Sequence, residues 1–386
     1  MRAKNFLPLI FLNFFRSFFP LSTISFYLFA DTFCQTNTSL TSKKDVAAIG
    51  AKKSTMSEKP KFAVIGGGSW ATAIVKMLTM NVDQVNWYMR SVYALEHLKL
   101  HKHNPNYLSS VEFDIKKLNL TNDINEAVKD ADYVIFAIPS AFLNNELQNL
   151  TEDLQGKIIF SAIKGIVPET SMIVGEHFHK NYNIDYDNIG VITGPCHAEE
   201  VALERLSYLT IACGDAAKAK VMAKNLSSYF IKTKTSDDII GTEYAAVLKN
   251  IYSIAAGIAH GLGYGDNFQA VLMSNAIREM KRFIKKVHKM KRNINNSAYL
   301  GDLLVTGYSV FSRNRMFGNM IGKGYTVKSA QMEMSMVAEG YYAAKSAWNL
   351  NKEYAAKTPI LDAVYEVLYE GKEAKQSFKK LTDKLN

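Results

Sequence analysis

The sequence predicts an α/β domain built on a mostly parallel sheet, followed by an all-helical domain. Three observations carry this. A short apolar run at residues 61–65 ends in three glycines and an apolar-periodic segment, so strand, tight turn and helix follow one another. Further runs rich in β-branched and aromatic residues recur with polar, helix-length connections between them, the pattern of a parallel sheet covered on both faces. From Ser236 onward the strand runs stop, and helix-period segments continue to Leu385.

The first strand carries Phe62, Val64 and Ile65, and the first helix is expected over residues 72–80. Between them, residues 66–71 read G-x-G-x-x-A. Gly66 allows the turn, Gly68 lets phosphates approach, and Ala71 fills the close-packing position. Such a turn aims backbone N–H groups and the positive end of a helix dipole at one point, which suits a pyrophosphate. A purely structural glycine turn would use the same residues, so the motif alone does not decide. Later strands are expected at residues 85–89, 132–138, 157–163, 189–192 and 208–212. Ligands of parallel sheets sit at the carboxyl ends of strands, which singles out Arg90, the turn at 138–140 and Lys164. Arg90 stands 22 residues beyond Gly68, where a chain reading only NAD usually places Asp or Glu. An arginine there accommodates a 2′-phosphate, so NAD and NADP are both expected cofactors; an exposed strand-end arginine is the alternative.

With 386 residues the chain is long enough for two cores, and 48% hydrophobic with 21% charged content excludes a disordered class. The net charge of +10 fits nucleic acid, an anionic membrane or anionic small ligands equally well. Its densest part, residues 278–292, interleaves basic residues with Met280, Phe283, Ile284, Val287 and Met290 at helical spacing. That pattern reads as the solvated face of an amphipathic helix, and no aromatic-rich strand platform for nucleic acid accompanies it. Cys34, Cys196 and Cys213 form an odd count without metal-like spacing, which points to a reducing compartment and no metal. Residues 1–30 join a basic start to an apolar run broken by Arg16 and Pro20, a poor membrane span and a rough imitation of a signal peptide. The expected reading is translation from Met56, a non-native or disordered extension over 1–55, and a cytoplasmic protein; a secretion or anchoring signal is the alternative. Domains are then expected at residues 56–236 and 237–386.

Residues 237–262 are apolar or small on every side, as in a buried helix, yet they contain Lys249. An unpaired buried ammonium is costly, so Lys249 needs a carboxylate or ligand beside it, or a lowered pKa, and both suit proton transfer. A lysine snorkelling at the helix edge is the alternative. Asp302 and Thr306 are four residues apart and share one helix face, with Leu303, Leu304 and Val305 expected to bury the others. Ser312, Arg313 and Asn314 gather a hydroxyl, a guanidinium fork and an amide, well suited to phosphate oxygens; a surface salt-bridge cluster is the alternative. His197, beside a strand end, reads as structural or cleft-lining.

Taken together, these residues resemble the bacterial NAD(P)-dependent glycerol-3-phosphate dehydrogenases. The glycine turn with Ser69-Trp70-Ala71, Ser161-Ala-Ile-Lys164-Gly165, Gly194-Pro195, Leu248-Lys249-Asn250, Gly301-Asp302-Leu303, Ser312-Arg313-Asn314-Arg315 and Val337-Ala-Glu339-Gly340 occur in that family's order, over about residues 61–349. The resemblance implies a Rossmann-like N-terminal domain, an α-helical C-terminal domain, and cofactor and substrate in the cleft between them. It implies reduction of dihydroxyacetone phosphate to sn-glycerol 3-phosphate with NADH or NADPH, supplying glycerophospholipid synthesis. Small-molecule ligands, no nucleic acid, no stable membrane insertion and a homodimer follow from it. Carried over, the dinucleotide would meet Gly66, Gly68, Ser69, Trp70, Arg90, Lys164, Ala198, Arg313, Val337 and Glu339. Substrate would meet Lys164, Gly194, Cys196, Lys249, Asp302, Thr306, Ser312, Arg313 and Asn314, with Lys249 as general acid and base, assisted by Lys164 and Asp302. Three departures stand out: Cys196 where Ser or Thr is common, Gly307-Tyr308 in place of Cys-Thr, and Ala71 rather than Gly. The competing expectations are a two-domain reductase of a keto or hydroxy acid of the ketopantoate type, and a non-catalytic nicotinamide-nucleotide sensor.

Overall fold

A computed structural model describes residues 59–334 and 338–386, and these described residues form one compact unit. The extension expected over 1–55 lies outside the described residues. The strands are β1 (Phe62–Ile65), β2 (Val85–Tyr88), β3 (Leu118–Thr121), β4 (Tyr133–Phe136), β5 (Ile158–Ser161), β6 (Ile166–Val167), β7 (Met172–Ile173), β8 (Ile189–Thr193), β9 (Ser207–Cys213) and β10 (Ile231–Ser236). Helices α1 (Ser69–Thr79), α2 (Val92–His101), α3 (Ile124–Lys129), α4 (Leu143–Leu147), α5 (Val174–Tyr182), α6 (Ala198–Ala202) and α7 (Ala216–Leu226) alternate with them. Beyond β10 come α8 (Ile239–Gly261), α9 (Asp266–Val287), α10 (Asp302–Tyr308), α11 (Arg313–Gly322), α12 (Val327–Glu333), α13 (Glu339–Tyr354), α14 (Pro359–Tyr369) and α15 (Ala374–Thr382).

Eight strands form one sheet in the order β10-β9-β8-β5-β4-β1-β2-β3, while β6 and β7 pair separately. Every neighbouring pair in the large sheet is parallel except β8 and β9. β1 is an interior strand, with Val64 opposite Trp87 on one side and Ile135 on the other, so the glycine turn that follows it opens between β2 and β4. Two apolar clusters cover the two faces, one built on Phe62, Val64, Trp87 and Phe160, the other on Ile65, Phe136, Ile159 and Phe178. The two strands of this sheet not anticipated, β3 and β10, are its edges. Edge strands need only one buried face and carry polar residues, here Asn119 in β3 and Lys232 and Lys234 in β10, so their apolar signal is weak.

The helical core gathers around α8, of whose 23 residues 20 are buried. Its packing against α11 depends on glycines. A Cβ at Gly257 would meet Arg315 O at 2.1 Å, and one at Gly318 would meet Ile254 O at 2.1 Å, so the two backbones touch where neither helix carries a side chain. Asp238 caps α8 by accepting the Gly241 N–H at 2.9 Å and is itself gripped by the Arg292 guanidinium (2.6 and 3.0 Å) and the Tyr299 hydroxyl (2.5 Å). Burial pushes the Asp238 carboxyl up, but these donors outweigh it and hold the group below its ordinary value.

Two expectations change. The basic segment 278–292 is not one amphipathic helix: α9 ends at Val287, Met290 lies beyond it, and Arg292 is buried against Asp238 instead of facing solvent. In α10 Leu303 is buried, but Leu304 is exposed and Val305 only half-buried, because a helix with Asp302, Thr306 and Gly307 inward turns the Leu304 side to solvent. Among the described residues, no helix is long and apolar enough to cross a membrane.

Replacing Gly257 by Ala adds a methyl where the α11 backbone already stands. The expected result is a net loss of about 1–3 kcal/mol from overpacking, despite the ~1 kcal/mol gain in helix propensity. Urea unfolding of this variant beside the wild type measures it; an unchanged or raised stability contradicts close α8–α11 contact.

Candidate active site

The glycine turn is a cradle that side chains would obstruct on one side and leave open on the other. Gly66 has φ +136°, and a Cβ there would meet Ala137 O at 2.5 Å. Gly68, the residue before α1, has nothing within 4 Å of its Cβ position, and no side chain caps the helix. Open space and uncapped N–H groups are what a pyrophosphate requires. The turn is braced from behind: Trp87 Nε1 donates to Gly66 O at 2.7 Å, and Asn104 Nδ2 donates to Gly67 O at 3.0 Å and to Thr72 Oγ1 at 2.9 Å. Asn104 was not anticipated; it lies on a loop with no local motif, and only the fold brings it to the turn.

A cavity of about 790 Å³ runs from this turn, across the carboxyl ends of β2, β4 and β5, to α8, α11 and α13. Gly66, Gly68, Ser69, Trp70, Arg90, Lys164, Cys196, Ala198, Lys249, Thr306, Ser312, Arg313, Asn314 and Glu339 all line it. Asp302 stands behind Lys249 and is not part of the lining, nor is Gly194, whose φ of +121° serves the turn after β8, with a Cβ position 2.7 Å from Tyr208 O. Val337 lies outside the described residues.

At the helical end of the cavity, Lys249 Nζ makes a close ion pair with Asp302 Oδ1, both side chains being buried. Burial, helped by the positive charge of Lys164, brings the Lys249 ammonium down to about 8 although Asp302 pulls the other way. Asp302 is fixed at the first turn of α10, whose entry is a π-helical turn, Ser297–Gly301; Thr306 Oγ1 donates to Asp302 O at 2.6 Å. Among the described residues, Asp302 Oδ2 is buried without a hydrogen-bond partner.

From the sheet side, Lys164 Nζ sits 5.0 Å from the centre of the Trp70 ring, a cation–π distance. Its backbone carbonyl accepts from Asn250 Nδ2 at 3.0 Å, so the residue after Lys249 ties α8 to the loop beyond β5. At the start of α11, Ser312 Oγ accepts the Arg315 N–H (3.3 Å) and shares a 2.7 Å hydrogen bond with Ser253 Oγ. Ser312 is thus a helix cap as well as a wall of the cavity. Asn314 Oδ1 accepts the Gly340 N–H at 2.9 Å, anchoring the start of α13 beside Glu339. Burial raises the Glu339 carboxyl, while Arg313, Lys164 and Lys249 oppose that rise.

Burial pushes the Cys196 thiol up to about 12, so it is no thiolate nucleophile at neutral pH. His197 lines the cavity; burial, reinforced by the charges of Lys164 and Lys249, brings its imidazole down to about 4, and it is neutral at pH 7. Among the described residues, no three His, Cys, Asp or Glu side chains form a group able to hold a metal ion.

The family model for the NAD-dependent glycerol-3-phosphate dehydrogenase N-terminus matches residues 61–219, and that for the C-terminus of the same family matches residues 238–379. A Bacillus subtilis protein named glycerol-3-phosphate dehydrogenase [NAD(P)+] is 35% identical over 83% of this chain and 93% of its own length. One of the same name from Limosilactobacillus reuteri is 34% identical over 84% and 97%. Among solved structures, a glycerol-3-phosphate dehydrogenase from Coxiella burnetii is similar with a TM-score of 0.78 at 26% identity, covering 84% of this chain and 99% of that one.

Removing the Asp302 charge leaves Lys249 as an uncompensated buried cation. Asp302→Asn is expected to lower stability by about 3–5 kcal/mol at pH 7. Without Asp302 the Lys249 pKa falls further below its wild-type value of about 8, so over the interval between the two the folded wild type holds a proton that the folded variant has lost, and the loss should shrink as pH rises toward 9. Unfolding at both pH values tests this, and a penalty independent of pH contradicts it.

Proposed function

The chain belongs to the NAD-dependent glycerol-3-phosphate dehydrogenase family, and from that membership we propose that it reduces dihydroxyacetone phosphate reversibly to sn-glycerol 3-phosphate with NADH or NADPH. The product is a precursor for glycerophospholipid synthesis. One observation carries the assignment of roles: a buried lysine–carboxylate pair forms one end of the cavity whose other end is a phosphate-type glycine cradle.

Gly66, Gly68, Ser69, Trp70, Arg90 and Ala198 would hold the dinucleotide, with Glu339 closing the site from the helical side; Val337, outside the described residues, is assigned to the cofactor on family resemblance alone. When bound, the reduced nicotinamide supplies a hydride to C2 of the substrate. The residues of this chain manage the charge that develops on the carbonyl oxygen. Lys249 gives that oxygen its proton as general acid, and takes it back as general base in the reverse direction. A pKa near 8 leaves Lys249 charged at neutral pH yet ready to lose its proton. Asp302 keeps the amine in place and offers counter-charge from behind the cavity wall. Lys164 polarises the carbonyl and holds the substrate. Arg313 and Asn314, at the positive N-terminal end of α11, would grip the phosphate, with Ser312 shaping that end as its cap. Thr306 and Cys196 complete the substrate wall, and Gly194 acts behind it by shaping the turn after β8. The proposed setting is the cytoplasm, where nicotinamide nucleotides are supplied; buried, unpaired Cys196 and Cys213 accord with a reducing compartment. A homodimer is proposed on family resemblance.

Following NADH and NADPH absorbance with dihydroxyacetone phosphate, and with ketopantoate as a control, tests the reaction itself. Lys249→Ala is expected to lower turnover by ~10²–10⁴ with nucleotide affinity retained; near-normal turnover would remove Lys249 from its role. In wild type, kcat/KM for reduction should fall as pH rises through about 8, where Lys249 loses its proton, while that for oxidation rises. Profiles flat from pH 6.5 to 9.5 in both directions argue for a different proton donor.

A further inference from the structure

In dinucleotide-binding sheets, the acidic residue that meets the adenosine ribose usually ends the second strand, and its charge discriminates against a 2′-phosphate. In this chain the residue there is Arg90, and a carboxylate arrives from another element. Glu146, on α4 beyond β4, places Oε1 3.3 Å from Arg90 Nη1, and its Oε2 accepts the Tyr88 hydroxyl at 2.7 Å. Tyr88 is the last residue of β2, so its hydroxyl pins Glu146 to the end of that strand. Tyr88, Arg90 and Glu146 all line the cavity beside the glycine turn. The Glu146 side chain is 8% exposed, whereas that of Arg90 is 76% exposed. The negative charge is therefore the fixed member of the pair and the guanidinium the adaptable one.

We propose that Glu146 is a specificity-determining residue for the nicotinamide nucleotide, weighing against the 2′-phosphate of NADPH and tolerating the 2′-hydroxyl of NADH. The proposal rests on the dehydrogenase reading above. A ribose hydroxyl is neutral and can donate to a carboxylate. A 2′-phosphate carries nearly two negative charges near pH 7, so it meets repulsion from a fixed carboxylate and must compete with it for Arg90. Arg90 alone would favour NADPH; Arg90 already engaged by Glu146 is a weaker phosphate site. Nothing around residue 146 in the sequence signals this, because the carboxylate and the strand end meet only through the adjacency of β4, β1 and β2.

The test is calorimetric titration of the full chain with NADH and with NADPH, alongside kcat/KM ratios with dihydroxyacetone phosphate. Glu146→Gln keeps the size and an acceptor for Tyr88 while removing the charge. Its expected effect is a shift of the NADPH-to-NADH affinity ratio toward NADPH by about tenfold or more, arising mainly from tighter NADPH binding. Arg90→Ala should shift the ratio the other way, and adding Glu146→Gln to it should then move the ratio toward NADPH by a smaller amount, through relief of the direct repulsion alone. Should Glu146→Gln fold poorly, Tyr88→Phe unpins the carboxylate and is expected to give a smaller shift in the same direction. Equal changes for both nucleotides, an unchanged ratio or a shift toward NADH overturn the proposal and leave the dehydrogenase reading intact. Wild-type protein that binds neither nucleotide overturns both.

Discussion

An ammonium buried in a nonpolar helix is the constraint from which the rest of this structure follows. Lys249 on α8 is only 3% exposed, so its charge depends on Asp302 standing against it, and the pair works only if α8 and α10 keep their separation. The same desolvation that makes the pair costly to break brings the lysine into a useful range for proton transfer. Stability and chemistry here are two consequences of one low-dielectric environment.

The surrounding helices make that environment rigid. Glycines at 257 and 318 let α8 and α11 approach backbone to backbone, which sets the start of α11 at a defined distance from the lysine. Ser253, between Lys249 and that contact on α8, donates to Thr306 O at 2.8 Å and shares a hydrogen bond with Ser312, so three helices converge on one hydroxyl. Asn250 then fastens α8 to the Lys164 carbonyl at the sheet. The groups that line the cavity from the sheet and from the helices are therefore cross-linked by short polar contacts.

Much of this was legible in the sequence because the signals were local or periodic. The glycine turn, the interior strands and the all-round apolar α8 announced themselves, and so did the need of Lys249 for a partner. Asp302 could be named because it opens a segment whose four-residue spacing marks a helix face. The edge strands β3 and β10 were missed because half-exposed strands lose the apolar run that betrays interior ones. The segment at 278–292 misled because helical spacing in the sequence continues past Val287, where α9 ends, and the Arg292 side chain pairs with Asp238. Asn104 behind the turn and Glu146 beside Arg90 had no local signature at all, since each acts on a residue about forty to sixty positions away.

The central claim is that Lys249 is a buried amine with a strongly lowered pKa. It is tested most directly by NMR titration of isotope-labelled lysine amines, with the Lys249 resonance assigned by its loss in Lys249→Arg. The account predicts a midpoint at about 8 for that one resonance, well apart from the exposed lysines. A midpoint with the exposed lysines, near the ordinary ~10.4, would show a solvated amine and contradict it.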